Sequence, residues 1–190
     1  MKPIYKDIHL DLIIECKAGS RSAQYKIYKL YYKAMFNTCL RIVNNTAEAE
    51  DIMQESFLGA FQKIDTYSGE GSFGSWLKRI VVNNSLDVLR KSKDIVSLDD
   101  NDIDHPADED QIDEAEIRFQ VDEIKKAIMQ LPDEYRVVIS LFLLEGYDHE
   151  EISTILKISN NLSRTRYSRA RQKVLQILKA EKVKKSFSRN

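Results

Sequence analysis

The residues with the clearest chemical purpose are five cations near the C-terminus. The segment from Asp148 to Lys173 has the pattern of two short helices around a tight turn, and the second helix carries four arginines and a lysine. A basic second helix of this kind is typical of proteins that place it in the major groove of DNA. Early side chains of such a helix touch base edges, and later ones touch phosphates. The candidates are Ser163, Arg164 and Arg166 for base contacts, and Arg169, Arg171 and Lys173 for phosphate contacts.

The ends of these two helices carry capping residues. Asp148 precedes the first helix and Glu151 follows three residues later, which is the spacing of a capping box. Ser159 is placed to cap the second helix. Charge alone would fit an ordinary solvated face of a terminal helix. The caps, the turn and the density of arginine together favour a helix-turn-helix that binds duplex DNA.

A second group of candidates mixes aromatic, basic and amide side chains. A loop rich in Gly and Ser, residues 65–71, precedes a helix that begins at Ser72. Rings stack on unpaired bases and cations follow phosphates, so this mixture suits single-stranded nucleic acid. Phe73 and Trp76 have helical spacing with apolar neighbours and are expected in the core. The loop is a candidate holder for a flipped base, and the contact candidates are Tyr67, Lys78, Arg79, Asn83, Asn84, Arg90 and Lys91.

A third group is acidic. Asp51 and Glu55 lie one helical turn apart, with Gln54 beside them. Such a patch could dock a basic partner, but the residues by themselves fit an ordinary solvated face better.

The remaining reactive side chains do not have the spacing of a catalytic or metal site. His9, His105 and His149 are scattered, and Cys16 and Cys39 are not spaced as metal ligands. We expect idle, reduced thiols, no metal, no cofactor and no enzymatic activity.

Few residues interrupt the helical pattern that must position these groups. The 190 residues include only 6 Gly and 3 Pro, and 43% of them are apolar. Apolar side chains recur at steps of three and four, whereas strand-like alternation does not persist. The apolar runs are shorter than the ~20 residues of a membrane span, and acids interrupt the N-terminus where a signal peptide would be apolar. The sequence predicts an all-α, cytoplasmic protein that is not embedded in a membrane.

Charge divides the chain into three parts. Residues 94–116 contain eleven acids and no Lys or Arg, whereas the segments before and after them are net basic. Helical periodicity also stops there. We predict helical domains over residues 1–92 and 115–190, joined by an acidic flexible linker over residues 93–114. Localised positive charge suits a nucleic-acid binder even though the whole chain has a net charge of −1.

The motifs together resemble those of bacterial RNA polymerase sigma factors, in particular the extracytoplasmic-function (ECF) subgroup. The likeness covers about residues 20–91 and 115–180. The residues that carry it are Ala49-Glu50-Asp51-Ile52-Met53-Gln54-Glu55-Ser56-Phe57, Phe73-Gly74-Ser75-Trp76-Leu77-Lys78-Arg79-Ile80 with Asn83, Asp87 and Arg90, Leu131-Pro132-Asp133-Glu134-Tyr135-Arg136, Glu145-Gly146-Tyr147, Glu150-Glu151-Ile152-Ser153 and Ser168-Arg169-Ala170-Arg171.

The resemblance implies a factor that binds core RNA polymerase and directs promoter-specific initiation through DNA binding and strand opening. The group at residues 65–91 would melt and capture the minus-ten element, and the helix-turn-helix would read the minus-thirty-five element as duplex. The linker carboxylates would mimic nucleic-acid charge in a basic channel. An anti-sigma protein is an implied partner, and no small-molecule substrate is implied. The residues that would dock on the polymerase clamp are Asp51, Gln54, Glu55 and Phe57.

Two residues depart from the family pattern. Lys157 stands in the turn where relatives usually have Gly, and a lysine at positive φ there would be strained. Ser163 stands where relatives often have a buried aliphatic residue, and Leu162 would partly substitute for it.

Two other functions fit part of the pattern. A DNA-binding regulator that never enters polymerase would need only the C-terminal domain. A helical adaptor would use the basic faces to meet acidic proteins. An enzyme is disfavoured because the side chains offer no catalytic arrangement.

Overall fold

The computed structural model describes residues 8–92 and 121–187, and these form helices joined by short turns. The described residues include no strand, so the predicted all-α class is confirmed. The chain divides into two compact units, Met1–Ile95 and Val96–Asn190. The predicted linker over residues 93–114 lies outside the described residues, so its bounds stay a prediction. No helix of the described part is long and apolar enough to cross a bilayer.

The first unit is a bundle of four α-helices. Helix α2 is central and packs against α1, α3 and α4, and α3 also packs against α4. The inner faces bury apolar side chains at helical spacing, and each such side chain stabilises the fold by roughly 1.5–3 kcal/mol. The elements are α1 (Leu10–Lys17), α2 (Arg21–Val43), α3 (Thr46–Gln62), a 3₁₀ helix (Ile64–Thr66) and α4 (Phe73–Ser92).

A glycine lets α4 approach α2 closely. A Cβ atom added to Gly74 would lie 3.0 Å from Cε1 of Tyr31 on α2. The Tyr31 ring also packs on Phe73, with the ring centroids 5.6 Å apart. The glycine therefore admits the tyrosine ring that joins the start of α4 to the middle of α2.

The turn between α2 and α3 is formed by two asparagines. Asn44 ends α2 in the left-handed region with a φ of 55°, and the Asn45 side chain accepts hydrogen bonds from the backbone N–H groups of Ala47 and Glu48. Asn45 is therefore the N-cap, and Thr46 is the first helical residue. An asparagine oxygen reaches two unpaired donors from the extended backbone at this position.

The second unit packs three helices around the long last one. Helices α5, α6 and α7 each contact α8. Its apolar core contains Ala127, Ile128, Leu131, Ile139, Ala170, Val174 and Leu178. The elements are α5 (Val121–Met129), α6 (Asp133–Leu143), α7 (His149–Leu156) and α8 (Asn160–Phe187).

A buried arginine fixes the corner between α5 and α6. Arg136 is 2% exposed, donates from Nη1 to the Leu131 carbonyl oxygen at 3.1 Å and pairs through Nη2 with Asp133. Burial lowers the pKa of the Arg136 guanidinium from its usual range. Pro132 precedes α6, where its missing N–H group breaks no helical hydrogen bond.

Candidate nucleic-acid and polymerase interfaces

One exposed face of α3 carries the acidic group predicted from the sequence. Asp51, Gln54 and Glu55 are all exposed, and they lie on one side of the helix because they are three or four residues apart. Leu58 continues this side by one turn and is 64% exposed. We call these four residues the α3 face. A single exposed leucine is common on protein surfaces, so Leu58 marks this face only together with its polar neighbours.

Phe57, predicted with this group, lies inside the bundle. Its side chain is 3% exposed, and its ring packs edge-on against Tyr28 of α2 with centroids 5.0 Å apart. The side chain therefore supports the α3 face from beneath and is not presented at the surface. The sequence did not single out Leu58, because an apolar residue next to Phe57 is expected in the core until the orientation of the helix is known.

The loop before α4 is closed by its own tyrosine. Tyr67 is 6% exposed, and its hydroxyl donates to the Gly71 carbonyl oxygen at 2.6 Å. Its ring lies 5.5 Å from that of Phe73 and 5.7 Å from that of Trp76. Phe73 is fully buried, as predicted. Tyr67 thus shapes the loop from within, whereas residues 68 and 70 at the tip are exposed.

The predicted contacts on α4 divide into exposed and supporting side chains. Arg79, Asn83 and Lys91 are exposed and share one stripe at steps of four residues. Asp87 lies on the same stripe and pairs with Arg90 at 3.1 Å. Lys78 and Asn84 are half-buried. The stripe extends over roughly 18 Å at the ~1.5 Å rise of a helical residue.

Asn84 has a partner inside the bundle. Its Nδ2 donates to Oγ of Ser56 at 2.9 Å, and Ser56 is fully buried on α3. One of the amide's donors is therefore used to join α4 to the inner side of α3.

The helix-turn-helix has the caps that its sequence predicts. The Asp148 side chain accepts from the backbone N–H of Glu151, and the Glu151 side chain accepts from the backbone N–H of Asp148, which completes the capping box. Oγ of Ser159 accepts from the N–H of Leu162 at 3.1 Å. Lys157 adopts a φ of 59° in the turn. This is the left-handed conformation in which a lysine is strained.

Ser163 faces the inside of the second unit. It is fully buried, and its Oγ shares a hydrogen bond of 2.9 Å with Nδ1 of His149. The His149 ring stacks on Phe142 at 4.6 Å and meets Tyr167 edge-on at 5.6 Å. Burial lowers the pKa of His149, nearby Arg164 lowers it further, and Asp148 partly opposes both. The position is thus buried, and a polar pair of side chains occupies it.

Arg166 also lies inside in this structure. It is 3% exposed, and its Nε and Nη1 atoms have no hydrogen-bond partner among the described residues. Arg164, in contrast, is exposed and donates from Nε to Oδ1 of Asn160 at 2.9 Å. Of the three predicted base contacts, only Arg164 is therefore presented on the surface of α8.

The outer side of α8 follows from its buried side. Ala170, Val174 and Leu178 are buried at steps of four, so the opposite side carries Asn161, Thr165 and Ser168. Asn161 is exposed and the other two are half-exposed. Sequence reasoning missed these three because it followed charge, whereas the phase of the apolar residues would have found them.

The predicted phosphate contacts lie on the two flanks of this outer side. Arg171 is exposed on the same flank as Arg164. On the opposite flank, Arg169 is half-buried and Lys173 is exposed, with its Nζ 5.3 Å from the centroid of the Tyr135 ring. Polar residues between two cationic flanks are the arrangement expected of a helix that enters a groove bordered by phosphates.

Known proteins match both units. Residues 27–95 match the Sigma-70 region 2 family, and residues 122–174 match the Sigma-70, region 4 family. The chain is 32% identical over 173 residues to the ECF RNA polymerase sigma factor SigW of Bacillus subtilis, which covers 84% of this chain and 91% of that protein. It is 26% identical over 173 residues to the RNA polymerase sigma-H factor of Pseudomonas aeruginosa, with 86% and 90% covered.

Two solved structures have a similar fold. One is the sigma factor RpoE in complex with the anti-sigma factor NepR from Bartonella quintana, with a TM-score of 0.54, 24% identity and coverage of 82% of this chain and 96% of that chain. The other is CnrH in complex with the cytosolic domain of CnrY, with a TM-score of 0.54, 20% identity and coverage of 89% and 96%. At this identity the likeness concerns the fold alone. The two matched regions and the extent of the likeness to SigW show that the chain belongs to the ECF subgroup of RNA polymerase sigma factors.

Proposed function

We propose that this sigma factor divides its work among three surfaces: the α3 face docks on core RNA polymerase, the loop and α4 capture a melted strand, and α8 reads upstream duplex DNA. The observation that carries the proposal is the exposure of a separate, chemically suited set of side chains at each of these places. Binding energy for unpaired bases and for duplex phosphates would then direct polymerase to a promoter.

Docking on the polymerase clamp uses Asp51, Gln54 and Glu55, with Leu58 as the apolar anchor. Carboxylates and an amide around one exposed leucine suit a partner with cations around an apolar groove. Phe57 supports this surface from the core.

Strand capture uses the exposed stripe of α4 and the loop held by Tyr67. Arg79 and Lys91 are placed for phosphates, and Asn83 for a base edge. Lys78 and Arg90 add charge beside the stripe, while Asn84 holds α4 against Ser56.

Duplex reading uses the outer side of α8. Asn161, Thr165 and Ser168 are placed for base edges together with Arg164, while Arg169, Arg171 and Lys173 are placed for the phosphates on either side. Ser163 holds the buried side of α8 through its hydrogen bond with His149, and we assign Arg166, on the same buried side, no DNA contact.

We also propose an anti-sigma partner and action in the cytoplasm, where core polymerase meets the promoter. The proposal draws on the two similar structures, in which the sigma factor RpoE is in complex with the anti-sigma factor NepR, and CnrH is in complex with the cytosolic domain of CnrY. The protein acts by binding, and we assign it no catalytic residue.

Gel filtration with core polymerase, followed by run-off transcription on genomic fragments, tests the proposal. We expect the protein to co-elute with core polymerase and to give discrete start sites that core alone does not give. Duplex binding without co-elution would instead indicate a regulator that works outside polymerase. A duplex affinity that does not fall as salt rises would favour a protein adaptor, because phosphate contacts release counterions.

A further inference from the structure

One lysine of α1 is tied to the loop before α4, although it belongs to none of the surfaces above. Nζ of Lys17 donates a hydrogen bond to the Tyr67 carbonyl oxygen at 3.0 Å. The same ammonium group lies 5.9 Å from the centroid of the Tyr67 ring. Lys17 thus holds Tyr67, the first residue after the 3₁₀ helix, from a separate helix, 50 positions away in the chain.

Tyr67 passes this restraint to the whole loop. Its backbone N–H donates to the Ile64 carbonyl oxygen at 3.1 Å, and its hydroxyl donates to the Gly71 carbonyl oxygen at 2.6 Å. Both ends of the segment 67–71 are therefore fixed through a single residue. Any shift of the Tyr67 backbone moves both the entry and the exit of the loop.

The C-terminal end of α1, which carries Lys17, is packed against the bundle and closed by a turn. Its neighbours Ile13 and Cys16 are 1% and 2% exposed. Gly19, with a φ of 84°, ends α1 by donating its N–H to the Cys16 carbonyl oxygen at 2.9 Å. A cation in the last turn is also favoured by the helix dipole. Lys17 therefore projects from a helix end that packing and a closed turn hold in place.

We infer that Lys17 is a positioning residue for strand capture: it fixes the Tyr67 carbonyl group and thereby holds the loop at residues 67–71 in the shape that accepts one unpaired base. The inference rests on the proposed role of this loop. Without the ammonium group the loop still exists but varies in shape, so a wrong base enters almost as easily as the right one. The loss is one of discrimination, because the cations of α4 still bind the strand.

A selection with holoenzyme made from the full chain and core polymerase tests this inference. The probe is a fluorescein-labelled, single-stranded DNA of 20 random nucleotides. Anisotropy measures the total affinity, and sequencing of the bound fraction measures the enrichment of each base. Lys17→Met removes both the charge and the donor, whereas a glutamine amide could still donate to the carbonyl oxygen. Lys17→Arg keeps a donor for the carbonyl oxygen. Lys29→Met is the matched control, since Nζ of Lys29 also lies over tyrosine rings, at 5.7 Å from Tyr32 and 6.0 Å from Tyr25, but on α2.

We expect Lys17→Met to lower the enrichment of the preferred base by roughly threefold to tenfold, which is the net effect of one hydrogen bond. Total affinity should stay within about twofold, Lys17→Arg should recover the enrichment, and Lys29→Met should match the wild type. The inference is overturned if Lys17→Met keeps the wild-type enrichment, or if Lys29→Met loses as much. If the wild-type holoenzyme enriches no base at all, strand capture by this loop fails together with the inference.

Discussion

At the scale of single residues, two positions of the helix-turn-helix bear on the stability of the second unit. Lys157 occupies the left-handed region that suits glycine, and the buried Ser163 shares a hydrogen bond with His149. Both were visible in the sequence as departures from the family pattern. Only the structure gives their physical consequence, since φ and the partner of a buried hydroxyl depend on the seating of α8.

The strain at Lys157 predicts a stabilising substitution. Lys157→Gly should raise the free energy of unfolding of the second unit by about 0.5–1 kcal/mol, because glycine adopts a φ of 59° without a steric penalty. Amide exchange of the buried residues Val138 and Ile139 on α6 would report it. Lys63→Gly is the control, since Lys63 also follows a helix but has a φ of −107°. We expect the α6 amides to exchange more slowly only in Lys157→Gly. Faster exchange in that variant would show that Lys157 is not strained.

His149 predicts a pH dependence for the second unit. Burial and Arg164 lower its pKa below the ordinary 6.5, so the unfolded chain takes up the proton first as pH falls. The stability present above pH 6.5 should therefore decline as pH falls from about 7.5 to 5.5.

The exchange of α6 amides at these two pH values measures this decline. In His149→Gln, whose side chain does not titrate, the stability of the second unit should depend less steeply on pH. His9→Gln in the first unit should leave this dependence unchanged. Equal slopes in the wild type and His149→Gln would exclude this histidine as the cause.

At the scale of elements, the sequence predicts which helices exist and where they are capped better than it predicts which side of each helix faces the solvent. The capping box at Asp148 and Glu151 and the cap at Ser159 are confirmed, because caps depend on local hydrogen bonds. The side of a helix that faces the solvent depends on which polar residues the fold encloses. Ser163 and Arg166 read as surface groups from their chemistry, yet both lie inside because they share the buried side of α8 with Ala170.

The two neighbours on α3 should behave in opposite ways. Leu58→Glu should weaken binding to core polymerase by about tenfold or more while leaving unit stability nearly unchanged, because Leu58 is exposed. Phe57→Ala should instead destabilise the first unit by roughly 3–5 kcal/mol. Co-elution with polymerase measures binding, and thermal unfolding followed through the signal of Trp76 measures the stability of the first unit. If Leu58→Glu binds polymerase as the wild type does, this leucine is not part of the docking surface.

A matched pair on α8 tests which arginine meets DNA. Arg164→Glu should lower holoenzyme affinity for upstream duplex by about tenfold or more, because it places an anion against phosphates and bases. Arg166→Met should keep the affinity within about twofold and leave stability equal or higher, since a buried cation with unpaired donors is costly. Fluorescence anisotropy with a duplex and amide exchange measure these quantities. A loss of duplex binding by Arg166→Met, with stability retained, would return Arg166 to the DNA contacts.

At the scale of the whole molecule, the boundary between the two compact units falls inside the acidic segment at residues 94–116. Each unit presents cations on the exposed side of a helix, α4 in the first unit and α8 in the second. The all-helical class was predictable from scarce Gly and Pro and from persistent helical spacing. Charge alone does not say which form of DNA each unit would meet. The proposed division of tasks rests instead on the aromatic and amide side chains near α4, on the helix pair that ends in α8, and on the family likeness.

Footprinting of the holoenzyme on a promoter fragment, with permanganate to detect unpaired thymines, tests the central claim that two DNA surfaces act together on one polymerase. We expect an upstream protected duplex and a downstream set of reactive thymines. Arg164→Glu should weaken the upstream protection first, and a double change of Arg79 and Asn83 to Ala should suppress the downstream reactivity. A single upstream footprint that is the same with and without core polymerase, and never any reactive thymine, would contradict the account.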